Sequence, residues 1–275
     1  MPEGREPILK ATELRVCFGG GRDIFLKRQA PFEALKGISF SVAPGEAYAI
    51  VGESGAGKST AAKCVVGLQR PTSGQISFQG EPLSFKGTKR RQIQMVFQDP
   101  YSSLNPRMTI GAALIELLRV NGIRPDKDSA AERATELLEM VGMPKRALEQ
   151  RPRAFSGGQR QRIGIARALA VEPTLLVADE PVSALDVSIQ ASILLLLKRL
   201  QAELGLTMLF ISHDLAVVRQ LCDRVAVMAE GEIIEEGAVA EVLHAPKQEF
   251  TKRLLAAATD LPGLEMDVPP VVASS

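Results

Sequence analysis

The sequence predicts an α/β fold built around a mostly parallel β-sheet. Short apolar segments at 47–51, 93–97, 174–178 and 207–211 have the length of buried strands, and segments with helical apolar spacing lie between them. A glycine-rich loop joins the segment at 47–51 to a helix-like segment. Strands that alternate with helices favour parallel pairing, because each helix returns the chain to the same end of the sheet.

Further strands are predicted on both sides of this core. The first covers 8–18, and a proline-glycine turn separates a strand at 38–42 from the one at 47–51. A Glu-Gly pair near the C-terminal end predicts a hairpin between 225–228 and 232–236.

A helical subdomain is predicted at about 100–170. Within it, apolar residues recur at helical spacing in 110–120 and 130–141. The sequence contains no internal repeat, so we expect one domain over 1–258. The remaining residues, 259–275, are rich in proline and are expected to form a disordered tail.

Composition excludes several classes of function. The formal net charge is +1, so no general attraction to nucleic acid is expected. Three cysteines, Cys17, Cys64 and Cys222, lie far apart without a CxxC pair or a Cys/His cluster, which argues against a disulfide framework or a zinc site. The apolar runs are too short to cross a bilayer and the first residues lack the apolar core of a signal peptide. Any membrane role must therefore come through a partner.

A phosphate-binding loop is predicted where GESGAGKST matches the pattern GxxxxGK[ST]. Its glycines let backbone N–H groups turn toward phosphate oxygens, Lys58 supplies a positive charge, and the Ser59 hydroxyl can bind Mg²⁺. The predicted ATP-binding residues of this loop are Gly52, Glu53, Ser54, Gly55, Ala56, Gly57, Lys58, Ser59 and Thr60. The preceding strand and following helix disfavour an incidental glycine-rich turn. The loop alone indicates only a nucleotide phosphate, because kinases, GTPases and many ATPases share it.

A second anion site is predicted where 155–162 reads FSGGQRQR. A serine and two glycines open a helix there, and a helix start presents free N–H groups to an anion. By itself this segment could equally be a capped helix preceded by a flexible turn. Lying between a phosphate loop and an acidic strand end, it makes the chain resemble the ATP-binding cassette (ABC) family, whose signature is LSGGQ. Phe155 replaces the usual leucine. The resemblance covers about 8–258 and implies a P-loop ABC ATPase domain with an N-terminal antiparallel β region.

The resemblance assigns catalytic roles to residues at strand ends. Asp179 resembles the Walker B aspartate that holds Mg²⁺, and Glu180 resembles the general base that orients or deprotonates the attacking water. His213 resembles the switch histidine that contacts the γ-phosphate. The implied catalytic residues are therefore Lys58, Glu180 and His213.

The family pattern also implies residues that bind ATP or lie between subunits. Gln98 resembles the Q-loop glutamine, so the implied Mg²⁺ ligands are Ser59, Gln98 and Asp179. Phe18 resembles the aromatic residue that stacks on adenine, with a core position at a strand end as its alternative. The signature residues, expected to act on ATP bound by a facing subunit, are Ser156, Gly157, Gly158 and Gln159. The D-loop residues, expected to cross the dimer interface, are Ser183, Ala184, Leu185 and Asp186.

Two segments, QDPYSSLNPRMTIG from Gln98 and EPVSALDVSIQA from Glu180, resemble the peptide/opine/nickel uptake branch of bacterial transporters. That branch implies ATP and Mg²⁺ as cofactors and a second ATPase subunit, in a heterodimer or a homodimer. It further implies two membrane permease subunits, an extracytoplasmic substrate-binding protein, no nucleic acid, and a peripheral position on the cytoplasmic face of the plasma membrane. Oligopeptides or dipeptides are the expected cargo. Nickel, opines, or a non-transport role such as iron–sulfur assembly remain the alternatives.

Overall fold

The computed structural model describes residues 6–19, 31–83, 91–99 and 104–259. Its strands are β1 Leu9–Phe18, β2 Phe32–Val42, β3 Ala47–Val51, β4 Ser73–Phe78, β5 Glu81–Pro82, β6 Ile93–Val96, β7 Leu175–Asp179, β8 Thr207–Ser212, β9 Arg224–Ala229 and β10 Glu232–Ala238. Its α-helices are α1 Lys58–Val65, α2 Ile110–Val120, α3 Lys127–Met140, α4 Gly157–Leu169, α5 Val187–Leu204, α6 Leu215–Leu221, α7 Val239–His244 and α8 Glu249–Thr259. Short 3-10 helices occur at Lys145–Glu149 and Pro152–Ala154.

The larger sheet has the order β10-β9-β3-β8-β7-β6. Every neighbouring pair in it is parallel except β9 and β10, which form the predicted hairpin. The expectation of a mostly parallel core sheet is therefore confirmed. Because parallel strands end at the same edge, the residues that follow β3, β6, β7 and β8 are brought to one side of the molecule. These residues include the phosphate loop, Gln98, Glu180 and His213.

The smaller sheet is antiparallel and has the order β2-β1-β4-β5. Here β2 begins at Phe32, six residues before the strand predicted at 38–42, and pairs with β1 as far as Phe18. The added residues, FEALKG, lack the alternation of apolar and polar residues that marks a strand. Pairing with β1 determines their conformation, which local propensity does not predict.

The two faces of β3 pack into separate hydrophobic clusters. Tyr48 and Ile50 face the antiparallel sheet and α1, whereas Ala47, Ala49 and Val51 face the helices on the opposite side. All five side chains are fully buried. A strand covered on both faces is apolar throughout, which explains the continuous run AYAIV before the phosphate loop.

The segment between β6 and β7 is helical, as its spacing predicts. Helix α2 coincides with the predicted 110–120, and α3 begins at Lys127 because the Asp126 carboxylate accepts a 2.8 Å hydrogen bond from the Ser129 N–H. None of the helices in the described ranges has both the length and the apolar character needed to cross a bilayer. The predicted tail lies outside the described residues, apart from Thr259 at the end of α8.

Candidate nucleotide-binding and catalytic site

The phosphate loop is packed so closely that glycine is required at two of its positions. A Cβ atom on Gly52 would lie 2.1 Å from the Met228 carbonyl oxygen, and one on Gly57 would lie 2.4 Å from the Ala34 carbonyl oxygen. Both residues have positive φ angles, 153° and 101°. The loop is thus pressed against β2 and β9, while its apex stays exposed. Such a backbone cradle suits phosphate oxygens.

Lys58, the first residue of α1, reaches back over this loop. Its Nζ donates hydrogen bonds of 2.8 Å to the carbonyl oxygens of Gly52 and Glu53. Burial lowers the pKa of the ammonium group, and the nearby carboxylates of Glu180 and Asp179 act in the opposite direction. The loop therefore holds a buried positive charge at its centre.

We expect Gly52→Ala to destabilise the chain more than Gly55→Ala. The Gly52 variant must move backbone away from Met228, and overpacking of this kind costs about 1–3 kcal/mol. Gly55 also has a positive φ, of 84°, but nothing lies within 4 Å of its added Cβ, so roughly 1 kcal/mol of backbone strain remains. The free energies of unfolding from urea titrations measure the difference. Equal losses would mean that Gly52 is not held against β9.

Ser59 and Asp179 form a polar pair beside the loop. The Ser59 hydroxyl donates a 2.9 Å hydrogen bond to Asp179 Oδ1. Burial raises the pKa of Asp179, and the hydrogen bond from Ser59 counteracts this effect. Hydroxyl and carboxylate oxygens are the hard donors that Mg²⁺ prefers, so the residues present fit this ion.

Glu180 occupies an unusual backbone conformation directly after β7. Its φ is +46°, in the left-handed region that a residue with a side chain adopts only when its surroundings hold it there. Its N–H donates to the Ile211 carbonyl at 3.0 Å, and its carbonyl accepts from the Ser183 hydroxyl at 3.1 Å. This conformation directs the side chain to His213, whose Nδ1 lies 3.3 Å from Glu180 Oε1.

The residues on both sides of His213 fix its backbone. The Asp214 N–H donates to the Ser212 hydroxyl at 2.9 Å, and the Asp214 carboxylate caps α6 through the Ala216 N–H at 2.8 Å. A cavity of about 60 Å³ is lined in part by Glu180 and His213. One water molecule occupies roughly 30 Å³ in the liquid, so the cavity has room for water beside the carboxylate.

The signature segment forms a capped helix start. The Ser156 hydroxyl accepts from the Gln159 N–H at 3.4 Å, and the Gln159 side chain accepts from the Ser156 N–H at 3.0 Å. A Cβ on Gly158 would lie 2.4 Å from Ile189 Cγ2, so glycine permits the close packing of α4 against α5. Gly157 packs beside Leu185 of the D-loop segment. The hydroxyl side of this helix start remains exposed.

The D-loop segment contacts both Glu180 and the signature segment. Ser183 holds the Glu180 carbonyl, while the Leu185 carbonyl accepts a 2.9 Å hydrogen bond from the Gln190 side chain. Ala184 and Asp186 are exposed. Within the described ranges, no hydrogen bond joins residues 156–159 to the phosphate loop.

Gln98 and Phe18 lie at strand ends with accessible side chains. Gln98 is exposed, and in the described part of the chain its side chain makes no hydrogen bond. Phe18 is 41% exposed at the end of β1, opposite Phe32. Neither side chain is buried in the core, so both are accessible to a ligand.

Residues 35–183, more than half of the chain, match the family model described as ABC transporter. The chain belongs to the ABC transporter family. Its curated ABC relatives include the oligopeptide transport ATP-binding protein OppF of Lactococcus lactis, 46% identical over 91% of this chain and 80% of the relative. OppF of Escherichia coli is 44% identical over 93% of this chain and 78% of the relative. A putative peptide import ATP-binding protein of Brucella abortus is 50% identical over 84% and 74%, respectively.

Solved ABC structures have the same fold. The cassette MJ0796, in a dimeric post-hydrolysis state bound to ADP and Pi, superposes with a TM-score of 0.73 at 31% identity, over 84% of this chain and 98% of that chain. The protein cbiO1 of Clostridium perfringens, part of the ABC transporter complex cbiONQ, gives a TM-score of 0.71 at 31% identity, over 87% and 92%. The chain is an ABC-type ATP-binding protein and an ATPase.

The ABC pattern did not predict the residues that hold the motif residues in place. The Ser183 hydroxyl bonds to the backbone of Glu180, the Ser212 hydroxyl bonds to the backbone beside His213, and the Asp214 carboxylate caps α6. Gln161 is a buried glutamine on α4 and was not singled out by the sequence. Its position on the apolar face of a predicted helix was the one available signal, because a polar residue there needs a partner.

Proposed function

We propose that this chain is the ATP-hydrolysing subunit of a bacterial importer for oligopeptides or dipeptides. The observation that carries the hydrolytic part is the Glu180–His213 pair, 3.3 Å apart beside a cavity with room for water. The phosphate loop and the Ser59–Asp179 pair lie at the same edge of the sheet. The names of the curated relatives support peptides as cargo.

In the proposed reaction, water attacks the terminal phosphorus of ATP and ADP leaves. The loop amides and Lys58 bind the phosphates, and Glu180 orients the water and accepts its proton. His213 contacts the γ-phosphate and keeps the Glu180 carboxylate oriented. Mg²⁺ would be held by Ser59, Gln98 and Asp179 and would neutralise charge on the phosphates. Phe18 would stack on adenine.

The proposed site is shared between two subunits. The exposed helix start at Ser156, Gly157, Gly158 and Gln159 would close over ATP that the facing subunit binds, because the start of a helix favours an anion. The D-loop would cross the interface. The facing subunit is a different ATPase chain or a second copy of this one.

The helical segment offers the surface that we propose for the permease. A groove of about 1110 Å³ runs along α2 and is lined by Met108, Ala112, Ile115 and Leu148. Two permease subunits and an extracytoplasmic substrate-binding protein would complete the importer. The chain would then lie on the cytoplasmic face of the plasma membrane.

Transport by a reconstituted complex tests this function. The chain would be purified with its partner ATPase, the permease pair and the binding protein encoded beside it, and placed in proteoliposomes with ATP inside or outside. We expect labelled peptide uptake only where ATP reaches this subunit, and no uptake when Glu180→Gln is combined with removal of the general base of the partner ATPase. Uptake of Ni²⁺ instead of peptide would contradict the cargo. Failure to associate with any permease would contradict the transport role and favour a non-transport ATPase.

A further inference from the structure

One buried side chain joins the signature helix to the backbone between β6 and Gln98. Gln161 lies on α4 and is only 1% exposed. Its Nε2 lies 3.5 Å from the carbonyl oxygen of Phe97, at the long end of hydrogen-bond range. Phe97 immediately precedes Gln98 in the chain. A buried amide is retained when it has a partner, and this carbonyl is the partner that the geometry provides.

Helix α4 also carries the signature residues, which lie at its N-terminal end. Gln161 follows Ser156 by five positions, which corresponds to roughly 7.5 Å along an α-helix. A helix this short moves as a rigid body, so a displacement of Ser156 is transmitted to Gln161. The next residue, Arg162, donates to the Ser192 hydroxyl at 2.6 Å and to the Val141 carbonyl. These bonds tie α4 to α5 and to the end of α3.

On the other side of the contact is the parallel sheet. Strand β6 pairs with β7, and β7 ends at Asp179, next to the general base. The backbone at Phe97 is therefore attached to the part of the chain that holds its own nucleotide. The Gln161–Phe97 contact spans the boundary between this part and the helices.

We infer that Gln161 is a positioning residue that couples the two ATP sites of the dimer. This inference rests on the proposed function, in which Ser156 acts on the partner's ATP and Gln98 on the chain's own. When the signature closes on the facing nucleotide, α4 would shift and draw the Phe97 carbonyl with it. Gln98 would then be placed for hydrolysis. Gln161 would touch neither nucleotide and would act through the backbone beside Gln98.

The test is a double-mutant cycle in the complex with the partner ATPase. Gln161→Met keeps the length of the side chain but removes the N–H donor. We expect maximal ATP hydrolysis to fall roughly 5- to 150-fold, the range of typical coupling effects, with ATP affinity of the isolated chain changed less than about twofold. In a Gln98→Ala background the same substitution should have little further effect, because the residue that it positions is already missing.

Ile165→Val serves as the packing control, since Ile165 lies on the same helix and is fully buried without a polar contact. Its effect on hydrolysis should be small and should be the same in both backgrounds. Gln161→Asn provides a second variant if Gln161→Met folds poorly, because it keeps the amide but shortens its reach. Additive effects of either Gln161 variant and Gln98→Ala would overturn the coupling. If the unmutated complex did not hydrolyse ATP, the proposed function would fall and the coupling with it.

Discussion

Lys58→Ala should abolish ATP hydrolysis by the complex at this chain's site. The substitution removes the one buried ammonium group that the phosphate loop encloses, and its Nζ also bonds to the carbonyl oxygens of Gly52 and Glu53. Charge on the terminal phosphates is then left without its fixed counter-charge. Loss of a preorganised donor of this kind typically lowers turnover by about 10²–10³-fold. Phosphate release by the purified complex measures it.

Lys10→Ala is the matched control for this experiment. Lys10 carries the same charge, but it lies on β1 and its side chain is exposed. The control should keep turnover within about threefold of the unmutated complex, as expected for an exposed charge. If Lys58→Ala retained full turnover while the partner's site was disabled, the phosphate loop would be wrongly assigned.

Glu180→Gln should separate binding from hydrolysis. Glutamine keeps the shape of the side chain but cannot accept a proton from water, so we expect turnover to fall by about 10²–10⁴-fold. The phosphate loop and the Ser59–Asp179 pair are untouched, and ATP should still bind. Bound ATP should therefore accumulate between the subunits and keep the dimer closed. Size-exclusion chromatography of the chain with its partner, in ATP and Mg²⁺, measures the trapped dimer.

Two further variants show whether the trapped species has the proposed arrangement. Ser156→Arg in the Glu180→Gln background should abolish the dimer, because a long side chain would block the exposed helix start. Glu203→Gln is the control for Glu180→Gln, because it removes a carboxylate on the exposed side of α5. Made alone, it should change neither the turnover nor the fraction of the chain that elutes as monomer. Near-normal hydrolysis by Glu180→Gln, with the partner's base also removed, would show that another carboxylate is the base.

Patterns within a segment were predicted well. Helix α5, Val187–Leu204, follows from such a pattern, because its leucines recur at helical spacing and Gly205 adopts the left-handed conformation that ends it. The strands that lead to the phosphate loop and to Asp179 were predicted because each is a short apolar run. Their roles as a nucleotide site came from the resemblance to a family and not from periodicity.

Contacts between distant segments could not be predicted in the same way. The distance between Glu180 and His213 depends on the pairing of β7 with β8 and on the left-handed backbone of Glu180. No local preference gives a glutamate that conformation. The first half of β2 was missed because its partner strand determines it, and Gln161 because its partner is a backbone carbonyl 64 positions away.

The helices between β6 and β7 stand apart from the named site residues but not from the core. The proposed site is built at strand ends and at the start of α1, whereas, in the described residues, α2 and α3 supply none of its named side chains. The buried faces of these two helices belong to the same hydrophobic cluster as β3 and β7, so only their exposed faces can change without disturbing the core. An engineer could exchange the same stretch between transporters. The graft would have to preserve those buried faces and the contact between Gln161 and the carbonyl oxygen of Phe97.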